Sequence, residues 1–205
     1  MRFSRSGPSC HGSLFKRSNF DPTMAQTWHR GRREQRPKGR PLDERTLEER
    51  AIAYVGRYAT TRARLTDYLR RKLAERGWAG AAPPAIDDLV TRLASLGYVD
   101  DESFALARAA ALRRRGYGAR RVESSLRAAG IEQPLRTAAG ENDDDEALRS
   151  ALVLARRKRL GPFASEPLDR DNFRRAMGAL MRAGHDPDVA RRVLTMALDE
   201  ADRLV

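Results

Sequence analysis

Side chains able to carry out chemistry are few in this chain and stand far apart. The three histidines are His11, His29 and His185, and the single cysteine is Cys10. Two of the histidines and the cysteine fall within the first 45 residues, so the spacing supports neither a nucleophile–base pair nor a cysteine metal site. His185 follows a helix-ending glycine and reads as a partly buried cap residue. Gly116-Tyr117-Gly118 lacks the preceding strand and the third glycine of a dinucleotide-binding loop. The acid run Asp143-Asp144-Asp145 lacks the alternation of a calcium loop. It reads instead as a helix start, where carboxylates meet free N–H groups. No catalytic residue, cofactor or metal is expected.

The chemistry that remains is charge recognition. Arg113, Arg114, Arg115, Arg120 and Arg121 bracket one turn, with Arg127 further along, and Arg156, Arg157, Lys158 and Arg159 form a second group. Such clusters either complement a helix dipole in solvent or bind acidic protein surface and phosphate. The formal net charge of +12 favours an acidic partner, and 40% hydrophobic residues against 33% charged argue against a compact enzyme with a deep cleft. The charge is uneven. Residues 1–45 hold 11 Lys/Arg and 4 Asp/Glu, a net +7, which leaves +5 for residues 46–205.

Those first 45 residues are rich in Arg, Gly, Pro and Ser without hydrophobic period and read as a basic disordered tail. Arg30-Gly31-Arg32-Arg33, Arg36, Lys38 and Arg40 are candidates for a loose phosphate-binding arm. Met24 offers a second candidate start, which would remove Cys10. No apolar run reaches signal-peptide length or the roughly 18 residues of a membrane span, so a cytoplasmic location and no membrane partner are expected.

From Asp43 onward the pattern is helical. The spacing places Leu47, Ala51, Tyr54, Val55 and Tyr58 on a first helix, and Leu65, Leu69 and Leu73 on a second that starts near Thr61 and closes at Gly77. Ile86, Leu89, Val90 and Leu93 define a third, with Leu96 in its last turn. Tyr98 and Val99 are expected to fold back on that face. Phe104, Ala107 and Ala111 face a core from a fourth helix; Val122, Leu126 and Ala129 line a fifth; Pro134 to Ala139 is a short sixth. A seventh buries Leu148, Ala151, Leu152 and Ala155 before Gly161-Pro162 stops it. The eighth carries Phe173, Met177 and Leu180. The ninth starts at Asp186-Pro187 and buries Val189, Val193 and Ala197.

The layout Leu-x-x-x-Gly-x recurs at Leu73/Gly77/Trp78, Leu126/Gly130/Ile131 and Leu180/Gly184/His185, with glycines 53 and 54 residues apart. Asp100-Asp101-Glu102 and Asp144-Asp145-Glu146 each open a repeat's first helix. The expected fold is all-α: three tandem three-helix repeats, at 46–99, 100–141 and 142–205, forming an elongated, curved body behind the tail.

Leu93-x-x-x-Gly97-Tyr98-Val99-Asp100-Asp101-x-x-Phe104-Ala105 closes one helix and opens the next, and it resembles the signature of the RecX family, bacterial regulators of the RecA recombinase. Arg115-Gly116-Tyr117-Gly118-Ala119-Arg120-Arg121-Val122 through Leu126 and Gly130-Ile131 is similar to the family's next block. Leu65, Leu69, Leu73 and Gly77-Trp78 fit the preceding one, and the resemblance runs from about Leu47 to the C-terminus. It implies a monomer that binds the RecA–single-stranded DNA filament, with duplex DNA as a further candidate partner. It also implies modulation, mainly inhibition, of ATP hydrolysis, strand exchange and coprotease activity, with roles in recombination, DNA repair and the SOS response. The family places Ser or Thr three residues before Glu at the second helix, a capping box. Here Arg64 follows Thr61, so either local stability is lost or an acidic contact compensates, and Arg62 and Arg64 are expected to face a partner. The alternative is a DNA-binding regulator with helix-turn-helix-like units. Scarce Asn and the absence of Gln after Gln133 argue against base reading.

Overall fold

A computed structural model describes residues 39–141, 143–166 and 169–205. Cys10, His11, His29 and the tail cations up to Lys38 lie outside the described residues. Within them the chain forms α1 (Glu44–Val55), α2 (Arg62–Arg76), α3 (Ile86–Ser95), α4 (Asp101–Arg114), α5 (Ala119–Arg127), α6 (Gln133–Gly140), α7 (Asp144–Lys158), α8 (Arg170–Arg182), α9 (Pro187–Thr195) and α10 (Leu198–Leu204). A 3-10 turn, Gly161–Phe163, links α7 to α8. One isolated parallel bridge joins Leu42 to Trp78, and the described residues contain no strand.

Short polar side chains start most of these helices. Asp43, Asp100, Asp143, Asp169 and Asp186 each accept a hydrogen bond from an amide in the first turn that follows. The cap of α7 is Asp143, one residue before the Asp144-Asp145-Glu146 run singled out in the sequence, and it accepts from the Glu146 amide at 2.6 Å. Hydrogen bonds from the Ser103 hydroxyl and amide hold the Asp100 carboxyl below its usual range.

Burial falls into three clusters, each drawn from its own stretch of chain. Leu47, Leu65, Leu69, Val90 and Leu93 centre the first; Ala109, Val122, Leu126 and Ile131 the second; Leu152, Ala155, Leu180 and Val193 the third. The recurring leucine–glycine layout closes the middle helix beneath each cluster, α2, α5 and α8.

The clusters are joined end to end by those same helices. The Thr61 hydroxyl caps α2 by accepting from the Arg64 amide at 3.2 Å, and donates its own proton to the Ala129 carbonyl at the end of α5, 2.6 Å away. Gly130, at φ 74°, lies directly against the Ala63 side chain, so a β-carbon there would collide with it. The second joint repeats the plan with backbone alone. The Gly118 amide donates to the Ala183 carbonyl at 3.0 Å and the Arg120 amide to the Gly184 carbonyl at 3.2 Å. Gly118 and Gly184 are in direct contact, with no room for a side chain on either. His185 seals this joint. It is 2% exposed, and its Nε2 lies 3.0 Å from the Gly116 carbonyl, which only accepts, so Nε2 carries the proton. Burial pushes its pKa below the ordinary 6.5, against the smaller opposing effect of the Gly116 hydrogen bond.

Several sequence expectations need correction. Packing onto the first cluster includes residues before 46: Leu42 is buried, its amide donating to the Gly77 carbonyl and its carbonyl accepting from Ala79. Tyr58 lies past the end of α1 and is exposed, as are Leu96 and Tyr98, because the turn at Gly97 sends Val99 alone back into the core. On α4 the core face is Ala105, Ala109 and Leu112, while Ala107 is exposed and Phe104 and Ala111 only half-buried. Ala197 is exposed at the head of α10, a helix the sequence reading did not foresee, which is anchored by Ala201.

Two measurements check this architecture. Thr61→Val removes a helix cap and leaves the Ala129 carbonyl without its donor, so urea unfolding should show a loss of about 1–3 kcal/mol, and Thr61→Ser should keep most of it. His185 is neutral in the fold and takes up a proton when unfolded near its ordinary pKa of 6.5, so its contribution is complete above that pH and is lost as pH falls below it. Stability measured from pH 7.5 to 5 should decline, with a shallower slope in His185→Gln.

Candidate partner-binding surface

Cations collect where three helices end or begin. The last turn of α4 holds Arg113 and Arg114 and is followed by Arg115; the first turn of α5 holds Arg120 and Arg121; the last turn of α7 holds Arg156, Arg157 and Lys158 before Arg159. The turn after α4 lies on α7: a β-carbon on Gly116 would stand 2.7 Å from the Leu154 amide nitrogen. One turn further along α7, Arg157 Nη1 donates to the Arg115 carbonyl at 2.9 Å, across 42 residues of sequence. The two basic groups are therefore brought side by side. Both helix C-termini favour positive charge there, which helps to stabilise the cations.

Not every candidate cation belongs to this surface. Arg113 is structural: its side chain is 13% exposed, Nη2 donates to the Ala139 and Glu141 carbonyls at 3.0 and 2.8 Å, and Nε lies 3.5 Å from Glu146. Arg120 pairs with Asp186 at 3.6 Å and Arg127 with Glu123 at 2.7 Å, both largely solvated contacts of little energetic weight. Arg156 is ion-paired with Asp202 and stacks 4.9 Å from the Phe163 ring centroid. Arg114, Arg115, Arg121, Arg157, Lys158 and Arg159 are exposed and form no ion pair among the described residues. Arg121 lies over the Tyr117 ring at 5.9 Å. Arg159 ends α7 in the left-handed region, φ 54°.

The structure draws Arg62 and Arg64 into contacts of their own. Asp101 of α4 accepts from the Arg62 main-chain amide at 2.9 Å, an acidic contact to the first turn of α2 from another helix, and the Arg62 side chain stays exposed. The Arg64 guanidinium stands 5.4 Å from the Phe104 ring centroid. The other signature residues are also structural. Gly97 turns the chain at φ 77°, Asp100 caps α4, Leu126 is buried, and Gly118 and Gly130 permit the two joints. The Tyr98 ring is 55% exposed beside Gly97, while its amide donates to the Leu93 carbonyl at 3.0 Å.

A third cationic site escaped the sequence reading. At the end of α1, Tyr54, Tyr58 and Tyr68 gather with Arg57, Arg71 and Lys72. The available signal was Arg57 between two tyrosines four residues apart, at the same kind of helix end as the other clusters; assigning Tyr58 to the core concealed it.

Among the described residues, no group of three or more His, Cys, Asp or Glu is placed to hold a metal ion, and no helix is long and apolar enough to cross a membrane. No family model matches the chain. Curated relatives do. The chain is 32% identical over 175 residues to the regulatory protein RecX of Myxococcus xanthus, covering 80% of this chain and 92% of that protein. It is 33% identical over 163 residues to RecX of Mycobacterium sp. strain KMS, covering 77% and 87%. The crystal structure of RecX from Lactobacillus salivarius has the same fold, with a TM-score of 0.61 at 18% identity over 78% of this chain and 96% of that one. Identity at this level, carried through nearly the whole length of proteins named as regulators, makes the chain a member of the RecX family of regulatory proteins.

Proposed function

We propose that this protein binds the RecA–single-stranded DNA filament and modulates it, chiefly by inhibiting ATP hydrolysis, strand exchange and coprotease activity. The observation that supports this most directly is the surface formed where α4, α5 and α7 meet, with six exposed cations that no described carboxylate neutralises. Such a surface suits acidic protein and DNA phosphate together, and its long-range field speeds encounter with a highly charged filament. Three helical units in series, at 46–99, 100–141 and 142–205, would contact neighbouring protomers and hold them in one arrangement. The protein acts by binding and needs no chemistry of its own. Within the cell this reading places it in the cytoplasm, as a monomer.

The test is the single-stranded-DNA-dependent ATPase rate of the cognate RecA, titrated with this protein. Inhibition is expected well below one molecule per RecA protomer. The double variant Arg114→Glu/Lys158→Glu reverses two exposed charges outside any described ion pair, and should raise the concentration needed by about tenfold or more. An unaffected ATPase, together with salt-sensitive binding to duplex DNA, would replace this reading with the helix-turn-helix one.

A further inference from the structure

Where α1 ends against α2, three tyrosine rings gather, two stacked and one tilted, edged with positive charge. Tyr54 and Tyr68 lie nearly parallel, 4.1 Å between centroids and 14° between planes. Tyr58 leans on Tyr54 at 5.3 Å and 50°, and is 50% exposed. The Arg57 guanidinium stands 5.5 Å from the Tyr58 centroid and that of Arg71 5.7 Å from Tyr68. Lys72 also approaches Tyr68 but is paired with Glu75 at 2.6 Å, whereas Arg57 and Arg71 form no ion pair among the described residues. Ala53, Tyr54, Arg57, Tyr58, Tyr68 and Arg71 line an open groove of about 510 Å³ that no carboxylate enters.

We propose that this groove binds single-stranded nucleic acid, with one base stacked on Tyr58 and flanking phosphates held by Arg57 and Arg71. Two features select this occupant. A half-exposed ring tilted against a stacked pair offers aromatic surface to an unpaired base, whereas the base faces of a duplex are already covered. The paired arginines beside it, with no acid in the lining, match a backbone that carries a charge at every step. An acidic peptide would be served by the arginines alone and would leave the tyrosine face unused. Alanine and tyrosine walls present few groups to base edges, so binding is tolerant of sequence. The site lies apart from the α4–α7 cations and gives the protein a contact for the strand itself. It deepens the reading above, and is tested without RecA so that either can fail alone.

The experiment is fluorescence anisotropy of a labelled oligothymidylate with the full-length protein over a range of salt concentrations. Tyr58→Ala should weaken binding about tenfold, as expected for one lost stacking partner, and Tyr58→Trp should retain it. Arg57→Ala and Arg71→Ala should each lower the slope of log affinity against log salt by about 0.7. A hairpin duplex should bind Tyr58→Ala and the unchanged protein equally. The proposal is overturned if the unchanged protein does not bind the oligonucleotide or if Tyr58→Ala binds it equally well. It is also overturned if polyglutamate binding shows the same tyrosine dependence, which would make the groove a protein-docking site. Should circular dichroism show Tyr58→Ala misfolded, the two arginine variants decide, and unchanged salt slopes in both reject the site.

Discussion

The structure depends on one interaction made twice: the start of a middle helix donates hydrogen bonds to the last carbonyls of the next. Helix starts carry spare N–H groups and helix ends spare C=O groups, each costly to bury alone. Setting Thr61 on Ala129, and Gly118 and Arg120 on Ala183 and Gly184, satisfies these carbonyls without water and aligns the helix dipoles head to tail. Close approach is a condition of this chemistry. Ala63 against Gly130, and Gly118 against Gly184, show why the recurring glycine stands at the joints as well as at the helix ends.

This choice of joints also decides where charge is displayed. Because α2, α5 and α8 meet one another, the C-terminal ends of α4 and α7 are left at the surface, and both are built from arginine and lysine. Their own helix ends help to stabilise these cations, and in the α7 group Arg156 alone meets a carboxylate, Asp202, among the described residues. Where a cation is needed for architecture, as with Arg113 across α6 and α7, it is instead largely enclosed and bonded to carbonyls.

Most helix limits were legible because caps are local. Asp100 after Gly97, and Asp186 before Pro187, specify a boundary within three or four residues of sequence, whatever packs outside. Faces were harder to read. In α4 the run Phe104-Ala105-Leu106-Ala107 continues with Ala109, Ala110 and Ala111, so apolar residues occur all round, and only the packing of α5, α6 and α7 selects Ala105, Ala109 and Leu112. The missing acid of the α2 capping box was anticipated, but the contact of Asp101, 39 residues away, with the first turn of α2 was not identifiable. The juxtaposition of the two basic groups was likewise hidden, since it rests on Gly116 lying against α7. The α10 helix is seven residues long with one buried side chain, too little for a periodic signal.

The two joints are made of different material, and this bears on how each tolerates change. At the first, one hydroxyl group both caps α2 and reaches Ala129, so exchanging that hydroxyl for the methyl of valine, at nearly unchanged volume, is felt. At the second, main chain meets main chain at Gly118 and Gly184, where a substitution adds bulk and, at Gly184 with φ 95°, backbone strain as well. The first joint therefore depends on chemical identity at position 61 as well as on small size at position 130, and the second on the glycines at positions 118 and 184. Drift at one joint leaves the requirements of the other untouched.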